Sequence, residues 1–188
     1  MGELDGKVAV VSGGARGIGR AVAERLATDG ATVVLSYRQS AAEAKRVVAA
    51  IAAAGGRASA VRADLAAVAD VRALFAAVVD RSGRLDILVN NAGIAIYRPV
   101  AEATEEEFDA SFAVNARGTF FALQEAARRI ADGGRIVNIS TGATASGVPN
   151  GALYCGSKAA VEQFTKSLAR ELGSRRVTVN TVSPGFTG

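Results

Sequence analysis

Short runs rich in Val and Ile alternate along this chain with longer stretches of helical period, and that alternation leaves few folds open. The runs are Val8 to Val11, Thr32 to Ser36, Arg57 to Val61, Leu85 to Val89, Arg135 to Ile139 and Val177 to Val182. They show little polar alternation, as strands do when helices cover both faces of their sheet. Between them the pattern predicts helices at 17–29, 41–54, 67–82, 104–131 and 152–173. Gly30, Gly55-Gly56, Gly83 and Gly133-Gly134 mark the returns. Thr104 followed by Glu107 reads as a capping box that opens the fourth helix. Strand, helix, strand, repeated, means parallel strands joined by right-handed crossovers. The expected fold is therefore α/β: a three-layer, doubly wound parallel sheet with a ligand crevice at the carboxyl ends of its strands. No linker, repeat or low-complexity tract divides residues 1–188, so one domain is expected.

Composition removes several function classes. With 49% hydrophobic and 21% charged residues the chain is a soluble globular one. The net charge of +4 raises the question of nucleic acid. However, the arginines are scattered, with Arg128-Arg129 and Arg175-Arg176 the only pairs, so a mildly basic solvated surface accounts for the charge and no nucleic-acid partner is expected. The chain has no histidine, which excludes a Ser-His-Asp or Cys-His relay. Its single cysteine, Cys155, excludes an internal disulfide and a cysteine-rich zinc site. The acidic run Glu105-Glu106-Glu107 suits a helix N-terminus better than a metal. Met1 to Lys7 is polar and no apolar run is long enough for a bilayer, so neither a signal peptide nor a membrane partner is expected, and a cytoplasmic location is.

The segment after the first strand narrows the ligand. Gly13, Gly14, Ala15, Arg16, Gly17, Ile18 and Gly19 lead from that strand into a helix. Glycines let backbone amides approach a pyrophosphate, and the helix start supplies unpaired N–H groups and the positive end of its dipole. At the end of the second strand an acidic residue would accept from an adenosine 2′-hydroxyl and repel a 2′-phosphate. Here that place holds Tyr37 and Arg38, and Arg16 points to the same region. Two guanidinium groups suit a phosphate dianion, so NADP(H) is the expected cofactor, with NAD(H) as the second choice. Arg38 also has a bland reading as a surface arginine.

At this point the sequence resembles the short-chain dehydrogenase/reductase family over essentially its whole length. Gly13, Gly17 and Gly19 match the family's cofactor loop, with Ser12 where threonine is usual. Asp64-Leu65 matches the pair that holds the adenine, and Asn90-Asn91-Ala92-Gly93 matches a specific signature after the fourth strand. Asn115 falls where the family keeps a catalytic asparagine, and Tyr154-Cys155-Gly156-Ser157-Lys158 matches its Tyr-x-x-x-Lys. Pro184-Gly185 follows the sixth strand where the family meets the nicotinamide, and Thr187 would lie beside the carboxamide. The resemblance implies a Rossmann-type sheet of order 3-2-1-4-5-6. It also implies hydride transfer between nicotinamide and a ketone or secondary alcohol, with Asn90, Ala92 and Gly93 at the cofactor. The likeness is greatest to the 3-oxoacyl-carrier-protein-reductase-like branch, which makes a 3-oxoacyl thioester one candidate substrate. A non-catalytic NADPH-binding or sensing module is the alternative function.

Ketone reduction needs a proton donor at oxygen. A free tyrosine, with a pKa near 10, is about three units too weak at neutral pH. Tyr154 and Lys158 are four apart, so they share a helix face, and a nearby cation lowers such a pKa by about 1–3 units. By the resemblance Lys158 also holds the nicotinamide ribose, and Asn115 joins a water-linked relay to it. Asn115 also has a bland reading, as a helix amide bonded to a neighbouring carbonyl. A hydroxyl that bonds the substrate oxygen completes the set. The family interval from Tyr154 lands on Thr141, with Ser140 just before it. Adjacent strand residues face opposite ways, so one of the two serves, and Thr141 is favoured.

Ile94, Ile96, Tyr97, Val148 and Phe186 are candidate pocket residues for an apolar ketone. Cys155 reads as a small buried residue. The family's substrate loop, further helix and last strand have no counterpart before Gly188, so the sixth strand is expected at a sheet edge. By resemblance a homodimer or homotetramer pairs through the fourth and fifth helices, where Ala113, Ala116 and Gly118 would permit close approach, although they could equally pack on the chain's own sheet.

Overall fold

A computed structural model of the chain describes residues 2–185. Six parallel strands form one sheet: β1 Val8–Val11, β2 Thr32–Tyr37, β3 Arg57–Arg62, β4 Leu85–Asn90, β5 Ile130–Ile139 and β6 Thr178–Val182. Their order is 3-2-1-4-5-6. The helices are α1 Gly17–Thr28, α2 Ala41–Ala53, α3 Val68–Ser82, α4 Glu105–Phe112, α5 Thr119–Arg129, the short α6 Ala143–Ser146 and α7 Ala152–Glu171. The chain is thus a doubly wound, Rossmann-type α/β domain.

The two faces of the sheet carry separate cores because successive strand residues point opposite ways. In β1, Ala9 and Val11 pack with Val33 and Leu35 under α1 and α2, against Ala23, Ala27, Val47 and Ile51. Val8 and Val10 pack on the other face with Leu74 and Phe75 of α3, Leu123 of α5 and Leu168 of α7. Burying a side chain of this size contributes about 1.5–3 kcal/mol. That explains why the central strand β1 is apolar throughout.

The expected fourth helix, 104–131, is interrupted. Thr104 caps α4 with the reciprocal pair predicted from Glu107. A π-helical turn then spans Ala113–Gly118 before α5 takes over, and the helix ends at Arg129. Such turns insert one residue per bond cycle, a geometry that hydrophobic period does not record. Gly133-Gly134 likewise does not separate helix from strand. β5 already pairs Ile130 with Leu85, residues 131–134 bulge out opposite Asp86, and pairing resumes at Arg135 with Ile87. Gly133 takes φ +75° there.

Gly118 and Ala116 pack on their own chain: a Cβ at Gly118 would lie 2.3 Å from the Leu65 carbonyl oxygen, and Ala116 is buried. No helix among the described residues is long and apolar enough to cross a membrane, and no three His, Cys, Asp or Glu residues among them gather as metal ligands would.

Candidate active site

The β1–α1 turn opens a cleft of about 430 Å3 at the carboxyl end of the sheet. Gly13, Ala15, Arg16, Gly17 and Ile18 line one side, Tyr37 and Arg38 another, and Asp64, Leu65, Ala92 and Gly93 the floor and far wall. Gly13 takes φ +65°, and a Cβ there would lie 3.0 Å from Ala92 Cα. Gly14 packs its backbone against Leu35, where a Cβ would lie 2.6 Å from that side chain. Arg16 stands at the start of α1 with no side-chain cap, and the first turn holds no acidic residue. Uncapped N–H groups, a helix dipole and two guanidinium groups form a donor set for an anion.

Two residues that sequence reasoning undervalued hold this loop. The Asn91 amide donates to the carbonyls of Ser12 at 3.0 Å and Gly13 at 3.2 Å. The buried Ser12 hydroxyl accepts from the N–H groups of Asn91 and Ala92 at 3.0 and 3.1 Å. The signal was Asn91 in the fourth-strand signature, but which loop it braces depends on β1 lying beside β4. The side chain of Asn90, the last residue of β4 and expected at the cofactor, is buried, and its amide donates to Asn138 Oδ1 at 2.8 Å. Asn138 in turn donates to Thr165, which places a buried polar ladder under the site.

Gly19 shows how tightly the loop is packed. A Cβ there would lie 2.4 Å from both the Gly13 carbonyl oxygen and Asn91 Nδ2. Gly19→Ala must therefore displace backbone. Ligand affinity at the cleft should fall at least about tenfold, a loss of about 1.4 kcal/mol or more. Calorimetric titration with NADP against the parent protein checks this, and undiminished affinity would remove the loop from binding.

On the far side of the cleft α7 delivers Tyr154 and Lys158. Lys158 is buried, and its Nζ donates to the Ile139 carbonyl at 2.7 Å. Burial lowers its pKa from 10.5 to about 8. The lysine does not pull the phenol down, as helix spacing had suggested. Burial pushes Tyr154 above its ordinary value, the Thr141 hydroxyl beside it lowers it in part, and Tyr97 and Cys155 add small upward pushes. One of the three N–H groups of Lys158 is given to a strand carbonyl.

Asn115 sits in the π turn, fully buried, with three of its four hydrogen-bonding positions engaged locally. It accepts from Ile94 N–H at 2.9 Å and donates to the Ile94 carbonyl at 2.8 Å and Ser157 Oγ at 2.9 Å. These bonds tie the segment after β4 to α7. A Cβ at Gly93 would lie 3.1 Å from both Asn115 Oδ1 and Lys158 Nζ, so the three meet at one point. Ser157, which the sequence reading left without a role, bonds Asn115 and the Tyr154 carbonyl.

The two candidate hydroxyls separate. Ser140 is buried and donates to Glu162 at 2.6 Å, whereas Thr141 stands beside the Tyr154 phenol. Gly142 N–H donates to the Pro184 carbonyl at 2.9 Å, which brings the Pro184-Gly185 segment to the same turn. Tyr97 lies over the other side, its ring centroid 5.8 Å from that of Tyr154. Thr187 and Phe186 lie outside the described residues.

A family model described as short chain dehydrogenase matches residues 7–188. The chain belongs to the short-chain dehydrogenase/reductase family. Within this oxidoreductase family it is 47% identical to the hydroxynaphthalene reductase-like protein Arp2 of Metarhizium majus, over 97% of this chain and 68% of that one. A short-chain dehydrogenase from Burkholderia cenocepacia, solved in complex with NADP, superposes with a TM-score of 0.95 at 47% identity, covering 98% of this chain and 76% of that one. The landomycin C-6 ketoreductase LanV, solved with NADP and rabelomycin, superposes with a TM-score of 0.93 at 46% identity, covering 97% and 77%. The strand order, the loop and the Tyr154–Lys158 helix of this short-chain dehydrogenase/reductase are the features on which such a likeness rests.

Proposed function

We propose that this short-chain dehydrogenase/reductase is an NADPH-dependent ketone reductase, with Tyr154 as proton donor and Thr141 as the hydroxyl that steadies the substrate oxygen. The observation that carries the reading is the Thr141 hydroxyl beside the Tyr154 phenol, one turn of α7 from Lys158, which meets Gly93 in the wall of the cleft that presents Arg16 and Arg38.

The donor set fits a dinucleotide. The unpaired amides at the start of α1 face a pyrophosphate, while those of Gly13 and Gly14 are given to Ser36 at 3.4 and 3.1 Å, and Arg16 and Arg38 face a 2′-phosphate. Arg62 reinforces that corner, because its Nε donates to the Arg38 carbonyl at 3.3 Å. Asp64 and Leu65 bound the adenine end, and Ala92, Gly93, Pro184 and Gly185 the nicotinamide end. When bound, the reduced nicotinamide supplies the hydride. Tyr154 gives its phenolic proton to the substrate oxygen while Thr141 donates a hydrogen bond to it. Lys158, at about 8, is the stronger acid of the pair and restores the phenol proton downhill. Asn115 fixes Ile94 and so sets the wall opposite Tyr154.

The substrate reading is a ring ketone. Tyr97 is half-exposed and tilted over Tyr154, an aromatic wall for a flat substrate. One relative is named a hydroxynaphthalene reductase-like protein, and one structural neighbour is a landomycin C-6 ketoreductase solved with rabelomycin. Val148 and Ile96 extend the apolar surface. NADPH consumption on a panel containing a tetralone, a naphthol-derived ketone and a 3-oxoacyl thioester tests it. Preference for the thioester would overturn the ring-ketone assignment, and no turnover on any ketone would favour a cofactor-binding module.

Cofactor choice gives a separate prediction. Arg38→Asp should raise the NADPH KM roughly 10–100-fold and narrow or reverse the preference over NADH. A charge-assisted bond is worth about 1.5–3 kcal/mol, which sets that range. Equal KM values for the two cofactors in the parent would count against the 2′-phosphate role. The homo-oligomer proposed from the family is checked by sedimentation.

A further inference from the structure

Glu162 is a carboxylate on the catalytic face of α7 that the reaction described above does not use. Tyr154, Lys158 and Glu162 follow one another at intervals of four residues, so they project along one stripe of the helix. Glu162 Oε1 accepts from the Ser140 hydroxyl and from the Thr144 hydroxyl, each at 2.6 Å. Both bonds are as short as hydroxyl bonds to an ionised carboxylate are. Their donors lie on either side of Thr141, one at the end of β5 and the other in α6.

We propose that Glu162 is a positioning residue that aims the Thr141 hydroxyl at Tyr154. Pinning residues 140 and 144 to one carboxylate oxygen fixes the turn between them against α7. Gly142 N–H, bonded to the Pro184 carbonyl, holds the same turn from the sheet side. The pinning also decides which hydroxyl faces the substrate. A hydroxyl has one proton, and Ser140 gives its proton to Glu162, so Ser140 has none left for a carbonyl. Thr144 lies within 2.8 Å of the Thr141 carbonyl as well, and the charged oxygen is the stronger claimant for its proton. Thr141 is the hydroxyl of the turn that the carboxylate leaves free. Without Glu162, Ser140 and Thr144 would seek other acceptors, and the carbonyls of the turn are the nearest. The Thr141 side chain would then sample several directions, and a donor about 1 Å out of place loses most of its effect.

This inference rests on Thr141 being the carbonyl-binding hydroxyl, and the test separates the two. Single-turnover rates and NADPH affinity are measured for the parent, Glu162→Ala, Glu162→Gln, Thr141→Ala and the double variant Glu162→Ala/Thr141→Ala. Thr141→Ala should cost about 10²–10³-fold, as loss of one such donor does. Glu162→Ala should cost about 10–50-fold in rate with NADPH affinity within about twofold of the parent, a partial loss of that same donor. In the Thr141→Ala background the Glu162→Ala loss should shrink to less than about threefold, because coupled residues are not additive. Glu162→Gln keeps an acceptor oxygen and should recover most of the rate. A full, additive loss in the Thr141→Ala background, or no recovery by glutamine, would overturn the positioning role and leave Thr141 in place. Near-parent activity of Thr141→Ala would instead overturn the Thr141 assignment itself. If Glu162→Ala fails to fold, Ser140→Ala/Thr144→Ala removes the same two bonds from the other side. That variant should reproduce the coupled loss, and an additive loss there overturns the proposal in the same way.

Discussion

Tyr154→Phe should lower ketone turnover by about 10³-fold or more while NADPH affinity stays within a few-fold of the parent. General acid catalysis by one positioned side chain contributes about 10²–10⁴-fold, and no other group among the described residues is placed to substitute. The chain has no histidine, Lys158 returns the proton to Tyr154 rather than to the substrate, and Thr141 is too weak an acid to give up a proton outright. The phenylalanine keeps the ring that packs against Tyr97, so the shape of the site survives. Isothermal titration with NADPH and steady-state rates on the best ketone measure the two halves separately. Turnover within tenfold of the parent would remove Tyr154 from the chemistry. A parallel loss of NADPH affinity would mean the phenol holds the cofactor as much as it protonates the substrate.

Lys158→Met should also abolish turnover, yet it should make the fold more stable at neutral pH. The native lysine titrates at about 8 against 10.5 for the free side chain. That difference of 2.5 units corresponds to about 3 kcal/mol of penalty for burying the ammonium. Losing this charge-assisted bond to the Ile139 carbonyl returns about 1.5–3 kcal/mol of it, leaving a net gain of up to about 1.5 kcal/mol for the methionine protein. Below pH 8 the lysine is charged in both the native and the unfolded chain, and the penalty is complete. Between pH 8 and 10.5 the native lysine loses its proton while the unfolded one keeps it. The unfolded state then binds more protons, so the parent's stability rises with pH through this window. Above 10.5 the lysine is neutral in both states and the penalty is gone. Urea midpoints of both proteins at pH 6.5, 7.5, 9 and 10 should therefore show the methionine advantage constant at first and shrinking thereafter. A methionine protein less stable than the parent at pH 7 would show that burial does not penalise this charge. Turnover of the parent should decline above pH 8, as Lys158 stops carrying the proton that restores Tyr154.

The sheet was legible before any coordinate, because strands covered on both faces must be apolar at every position, and Val8–Val11, Thr32–Tyr37 and Leu85–Asn90 are nearly so. The phosphate loop was legible for a similar reason: only a glycine fits where a Cβ would strike backbone, as at Gly19. Tyr154 and Lys158 could be paired from their spacing, since a helix face is a local property. What the sequence by itself determined was thus everything set by local geometry: period, turn chemistry and which residues share a helix face. The tertiary structure decided what depends on groups far apart in sequence. It directed the Asn90 side-chain amide to Asn138 and one N–H of Lys158 to the Ile139 carbonyl. It also bound Ser140 to a glutamate on α7, which left Thr141 to face Tyr154. A hydrogen bond is directional and short, so its partner is fixed only once the fold has brought two distant segments within about 3 Å, and no pattern along the chain encodes that meeting.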